Sequence, residues 1–133
     1  MIQHKNPAYL RASYLSLDSR QIYDPAKTAF FAVNGLNHDG HQYVESLYAK
    51  GVREFIVEES AWHGTLAEKA AKWEQTNIYV VENSIKTLQT IAKQHREQFN
   101  FPVIAITGSN GKTICKEWLA TLCGSRYKVI KSP

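Results

Sequence analysis

Short runs of β-branched and aromatic residues alternate along this chain with longer segments in which apolar side chains recur every three or four positions. Tyr14–Leu17 and Thr28–Val33 have the composition and length of strands. Between Gly40 and Lys50 the apolar residues Tyr43, Val44, Leu47 and Tyr48 fall at helical spacing, and Gly51 follows as a C-cap, so this segment predicts a helix. Val52–Glu58 predicts a strand, Thr65–Glu74 a helix rich in Ala, Glu and Lys, and Ile78–Glu82 another strand. A β-α-β-α-β succession of this kind predicts an α/β layered fold with parallel pairing through crossovers.

The pattern then changes. Ser84 stands where an N-cap is expected, and Ile85, Leu88, Ile91, Ala92, His95 and Phe99 share one face of a helix of about 14 residues. His95 lies on the edge of that face and reads as a packing or half-exposed side chain rather than a ligand. Asn100–Pro102 ends the helix, because proline disfavours helical geometry in the residue before it. Beyond this break Val103–Thr107 reads as a fully buried strand, Lys112 to about Leu122 as a helix, and Tyr127–Lys131 as a further strand. The expected organisation is a small domain over residues 1–100, a sheet with flanking helices. The first βαβ unit of a phosphate-loop ATPase domain follows over 101–133. A single βαβ unit cannot cover both faces of its own sheet, so the chain reads as the N-terminal part of a longer protein.

Composition narrows the class. The 133 residues are 44% hydrophobic and 21% charged, without biased tracts, which fits one ordinary hydrophobic core and excludes disordered and fibrous classes. Runs such as Ala29–Val33 are far shorter than the roughly 18 residues a membrane span needs, and Met1–Pro7 has no signal-peptide core. A cytosolic protein is expected. Cys115 and Cys123 are eight positions apart on one expected helix, too far to bridge, and read as packing thiols.

The net charge of +4 is local: residues 1–111 carry eleven basic and eleven acidic side chains, and residues 112–133 carry five basic and one acidic. A nucleic-acid surface would spread its basic residues along a face among aromatics. Here the excess follows directly after a glycine loop, which favours a small anionic ligand and no nucleic-acid partner.

That loop is Thr107–Thr113, Thr-Gly-Ser-Asn-Gly-Lys-Thr, set between an expected strand and an expected helix. Gly108 and Gly111 allow the backbone, with Ser109 and Asn110 between them, to turn N–H groups inward around phosphate oxygens. Lys112 would reach the β- and γ-phosphates, and the Thr113 hydroxyl would join an Mg²⁺ shell. The longer phosphate-loop pattern requires glycine where Ile106 stands, so the match is to a shorter Gly-x-x-Gly-Lys-Thr form.

A second polar cluster occupies the first forty residues: Leu17–Arg20, Pro25, Ala29–Gly35 and His38–His41. Ser19 and the backbone around Asn37 and His38 can donate hydrogen bonds to an anionic or planar polar ligand. Arg20 can serve as a cation for a ligand or as a partner for Asp18 or Asp39. Ordinary turn chemistry accounts equally well for these residue types.

Taken in order, Asp-Ser-Arg, Pro, Phe-Phe-Ala, Gly, Asp-Gly-His and then Ile-Thr-Gly-Ser-Asn-Gly-Lys-Thr followed by Lys116–Glu117 resemble the Mur ligases of bacterial cell-wall synthesis. The type most resembled adds D-alanyl-D-alanine to UDP-N-acetylmuramoyl-tripeptide. The resemblance covers residues 12–133. It implies a three-domain ATP-dependent ligase, using Mg²⁺ and an acyl phosphate, of which this chain holds the first domain and the opening of the second. It implies contacts to the uridine diphosphate end of the substrate from Leu17 and Ser19 and from Leu36, Asn37 and His38, beside which Arg20 is a further candidate substrate-binding residue, and ATP binding by Gly108–Thr113. Ile114 departs from the second threonine that family loops commonly carry. Two other readings are the ligase that adds the third amino acid to the same precursor and a non-catalytic α/β binding module.

Overall fold

The structure, a computed structural model, describes residues 10–35 and 38–132. The chain divides into two compact units, Met1–Phe99 and Asn100–Pro133.

The first unit is built on a four-stranded, wholly parallel sheet in the order β1 (Tyr14–Ser16), β2 (Thr28–Phe31), β3 (Glu54–Glu58) and β4 (Asn77–Val81). Every residue of β2 and β3 is buried, which is why these strands read as continuous apolar runs rather than as an alternation. Side-chain parity sorts the core into two layers. Phe30, Ala32, Phe55, Val57 and Ile78 pack with Val44 and Leu47 of α1 (Val44–Ala49) and Ala70 of α2 (Thr65–Ala70). Ala29, Phe31, Ile56 and Tyr79 face the other way, against Leu88 and Ile91 of α3 (Ser84–Glu97) and against Leu10 and Ala12.

Several element ends differ from expectation, each for a local reason. Gly40–Tyr43 forms a 3-10 turn and the α-helix starts at Val44. Helix α1 ends in a Schellman motif: Val52 N–H donates to Leu47 O (3.0 Å) and Gly51 N–H to Tyr48 O (3.0 Å), with Gly51 at φ +103°. Helix α2 stops at Ala70, and the chain continues in single turns that lay Trp73 flat on Tyr48, ring centroids 4.3 Å apart. The N-cap of α3 is Asn83, whose Oδ1 accepts from Lys86 N–H (2.8 Å); Ser84 is the first helical residue and is buried. His95 is exposed and meets Phe99 edge-on at 5.1 Å.

In the second unit only the helix of the expected βαβ unit is formed, α4 (Lys112–Gly124). Val103–Thr107, expected as a buried strand, and Tyr127–Lys131 have no strand structure, and Val103 and Ile104 are about two-thirds exposed (64% and 65%). A strand is defined by its ladder partner, and no described residue supplies one to either segment. Cys115, expected to pack, is exposed on α4, and both cysteines are free thiols. Among the described residues no helix is long and apolar enough to cross a membrane.

Candidate functional site

Because β1 and β2 are parallel neighbours, the loops that leave their C-terminal ends lie along one edge of the sheet. In α/β sheets this edge is where ligands are received. Leu17–Arg20 and His38–His41 of the N-terminal polar cluster follow those strand ends.

The first loop, Ser16–Gln21, is a tight turn organised by Asp18. The Ser16 hydroxyl donates to Asp18 O (3.0 Å) and accepts from Asp18 N–H (3.2 Å). Arg20 closes on the Asp18 carboxylate three times, through its backbone N–H, Nε and Nη2, each at 2.9 Å. These contacts hold the Asp18 carboxyl at a pKa of about 2, below its ordinary 3.8. Of the two roles open to Arg20, the structure thus shows the partner of Asp18, not of Asp39. Leu17 is half-exposed and Ser19 half-buried in the same turn.

The second loop runs from β2 to the 3-10 turn. Its two sides are joined by Gly35 N–H to His38 O (2.8 Å), by a bridge between Asn34 and Asp39, and by Gly40 N–H to Val33 O (2.8 Å). His38 is exposed, its ring 6.3 Å from that of Tyr43. Leu36 and Asn37 lie outside the described residues. The chain passes so close to itself that a Cβ on Gly40 would sit 2.8 Å from Val33 N and 3.1 Å from Val33 O. His41, buried, touches Asp39 Oδ1 through Nδ1 (2.6 Å) and Glu58 N–H through Nε2 (2.9 Å). Burial pushes the Asp39 carboxyl up, but hydrogen bonds from the His41 backbone and ring outweigh it and the net shift is downward.

Two carboxylates on β3 went unnoticed in the sequence. Glu58 accepts the Ser84 N–H (3.0 Å), neutralising a free donor in the first turn of α3. Glu54 accepts the N–H groups of Arg11 (3.2 Å) and Ala12 (3.3 Å) and so fixes the chain entering β1. The available signal was their spacing: charged residues at both ends of a buried strand, at the same parity, need partners.

The glycine loop belongs to the second unit. Gly108 (φ +149°) and Gly111 (φ +77°) both have positive φ, and Gly111 is the left-handed N-cap of α4. A Cβ on Gly111 would meet nothing within 4 Å, so its requirement is conformational rather than steric. The first intrahelical donor is Cys115 N–H, to Gly111 O at 2.9 Å, which leaves the N–H groups of Lys112, Thr113 and Ile114 at the open end of the helix. Lys112 Nζ folds over the loop onto the carbonyl oxygens of Gly108 and, at 3.5 Å, Ser109. Ser109, Asn110 and Thr113 are exposed. Downstream, Lys131 and Lys116 flank Glu117 and lower its pKa, the Lys131 hydrogen bond being the larger cause.

This donor set suits phosphate: open N–H groups, a helix N-terminus and an ammonium group within one loop. For Mg²⁺ the candidate is the Thr113 hydroxyl in the first turn of α4. Among the described residues no cluster of three His, Cys, Asp or Glu could hold a metal ion.

Against known families, residues 11–105 match the model described as Mur ligase family, catalytic domain. The chain belongs to the Mur ligase family. Among curated Mur ligases it is similar to the UDP-N-acetylmuramoyl-tripeptide–D-alanyl-D-alanine ligase of Borreliella burgdorferi. The two are 37% identical over 123 residues, which is 90% of this chain and 26% of that protein. It is also similar to the UDP-N-acetylmuramoyl-L-alanyl-D-glutamate–2,6-diaminopimelate ligase of Clostridium tetani, 29% identical over 101 residues, 74% of this chain and 19% of that one. Among solved Mur ligases, the MurF ligase of Thermotoga maritima in complex with ADP superposes with a TM-score of 0.69 at 28% identity, covering 97% of this chain and 27% of that structure. The chain thus spans about a quarter of the length of the D-alanyl-D-alanine ligase and of the MurF structure.

Proposed function

We propose that this chain is the sugar-nucleotide-binding domain and phosphate loop of an ATP-dependent ligase that adds D-alanyl-D-alanine to UDP-N-acetylmuramoyl-tripeptide. The observation that carries the reading is the glycine loop, with Gly108 and Gly111 at positive φ, open N–H groups at the start of α4 and Lys112 over the loop. The substrates come from the relatives: those named as D-alanyl-D-alanine ligases reach 37% identity, against 29% for the diaminopimelate ligase.

In this reading the backbone N–H groups of Lys112 and Thr113 orient the phosphates of ATP, and Lys112 offsets the charge that builds on the transferred phosphoryl group. Ser109 and Asn110 set the span between the two glycines. Bound Mg²⁺ would supply further charge neutralisation, with Thr113 as its one ligand from this chain. Leu17, Ser19 and His38, at the C-terminal ends of β1 and β2, together with Leu36 and Asn37 of the same stretch of sequence, receive the uridine diphosphate end of the substrate. Arg20 acts by holding the Asp18 turn that presents Ser19. The carboxylate to be activated and the incoming dipeptide amine are handled outside this chain, and the protein works in the cytoplasm, where these precursors are made.

Calorimetric titration of the chain tests the proposal. UDP-N-acetylmuramoyl-tripeptide should bind, and Ser19→Ala should weaken binding about tenfold by removing one hydrogen bond. Mg-ATP affinity should depend on Lys112. Binding of neither compound would overturn the reading.

A further inference from the structure

The Asp39-Gly40-His41 segment contains a device that the ligand reading leaves unused. His41 is almost fully buried, at 5% exposure, yet both ring nitrogens have partners: Asp39 Oδ1 at 2.6 Å from Nδ1 and the Glu58 backbone N–H at 2.9 Å from Nε2. A backbone N–H can only donate, so Nε2 must carry its lone pair and the ring proton must sit on Nδ1, directed at the Asp39 carboxylate. The ring is thereby fixed in one tautomer and one orientation.

Its two partners come from different parts of the fold. Asp39 closes the loop that begins at Asn34 at the C-terminal end of β2. Glu58 is the last residue of β3, and its side chain holds Ser84 N–H at the start of α3. Gly40 lets the chain run against Val33 closely enough for this reach, since a Cβ there would strike backbone atoms at 2.8 Å and 3.1 Å. One chain of hydrogen bonds therefore runs from the loop through His41 to β3 and the first turn of α3.

We propose that His41, as the Nδ1–H tautomer, is a positioning residue that latches the loop bearing His38 to the C-terminal end of β3 and so sets the shape in which that loop meets the sugar nucleotide. The last clause rests on the function proposed above; the latch itself does not. His41 touches no ligand in this scheme. It acts through Asp39 and through the loop sides joined at Gly35 and Gly40.

The test uses the full chain, first without ligand. Long-range proton–nitrogen spectra of the His41 ring should show a neutral imidazole protonated on Nδ1 at pH 7. Amide exchange should find the N–H groups of Gly35, Gly40 and Glu58 protected together. Asp39→Ala should raise exchange at these three positions by about tenfold or more while the β3–β4 ladder keeps its protection, and Asp39→Asn, which retains an acceptor oxygen, should restore most of it. Leu47→Ala, which weakens the core without touching the latch, should lower protection across the whole first unit. Titration with UDP-N-acetylmuramoyl-tripeptide should then give about tenfold weaker binding for Asp39→Ala and less than about threefold for Asp39→Asn.

An Nε2–H or doubly protonated ring at pH 7 would overturn the latch. So would unchanged exchange in Asp39→Ala, or loss in that variant no more local than in Leu47→Ala. Failure of the unsubstituted chain to bind the sugar nucleotide counts against the ligand reading alone, because the tautomer and exchange results are obtained without ligand and decide the latch by themselves.

Discussion

Thr28–Phe31 and Val103–Thr107 are both short, apolar and rich in strand-forming residues, yet the first is a wholly buried strand and the second has no strand structure and is largely exposed. The difference lies in their neighbours. Thr28–Phe31 pairs with β1 on one side and β3 on the other and is covered on both faces. No described residue pairs with Val103–Thr107. An apolar run is a proposal for a strand, and the ladder partner decides it.

The comparison has measurable edges. The largest effect is expected for Phe30→Ala, which removes a fully buried ring from the first unit and should cost about 3–5 kcal/mol in chemical denaturation. The matched change in the second unit, Trp118→Ala, removes a side chain that is already 69% exposed and should stay within about 0.5 kcal/mol. Equal losses would mean that the second unit buries its helix after all.

Next in size are two changes at the C-terminal end of the sheet. Gly40→Ala forces a methyl group onto Val33 backbone atoms and should cost about 1–3 kcal/mol in the same melts. Glu58→Ala leaves the Ser84 N–H without its acceptor, for a similar loss of about 1–3 kcal/mol, and Glu58→Gln should recover part of it. A smaller effect, about 1 kcal/mol and confined to α4, is expected for Gly111→Ala, because an alanine at φ +77° is strained although it has space. Residue-resolved exchange would locate it; a loss spread over the first unit would contradict this assignment to α4.

The smallest effect is electrostatic. The Asp18 carboxyl has its folded pKa lowered from 3.8 to about 2, so whatever stability it confers is present above about pH 4 and is lost as pH falls through 2. Asp18→Asn should therefore differ slightly from the parent at neutral pH and converge with it in acid. A gap that widens in acid would reverse the assigned sign.

Most of the first unit was legible because local signals agree there: glycine at a C-cap, helical spacing in α1 and α3, and unbroken apolar strands. The errors fall where two local solutions compete. Ser84 and Asn83 are both good N-caps, and the choice went to Asn83 because the extended backbone before the helix ends there. Arg20 had three eligible partners, and proximity within one turn gave it to Asp18. Glu54 and Glu58 drew no sequence reading, since their partners, 42 to 43 and 26 positions away, are invisible to any local pattern.

By itself, then, the amino-acid order determined the parallel α/β character of the first unit, the break near Pro102 and the glycine turn that opens α4 at Gly108–Gly111. Each of these depends on backbone geometry and side-chain types within a few residues. Tertiary structure alone decided which apolar runs became strands, which carboxylates were buried, and that His41 would be held between Asp39 and Glu58. Those outcomes depend on groups far apart in sequence meeting across a sheet, where hydrogen bonds must be completed and water is excluded.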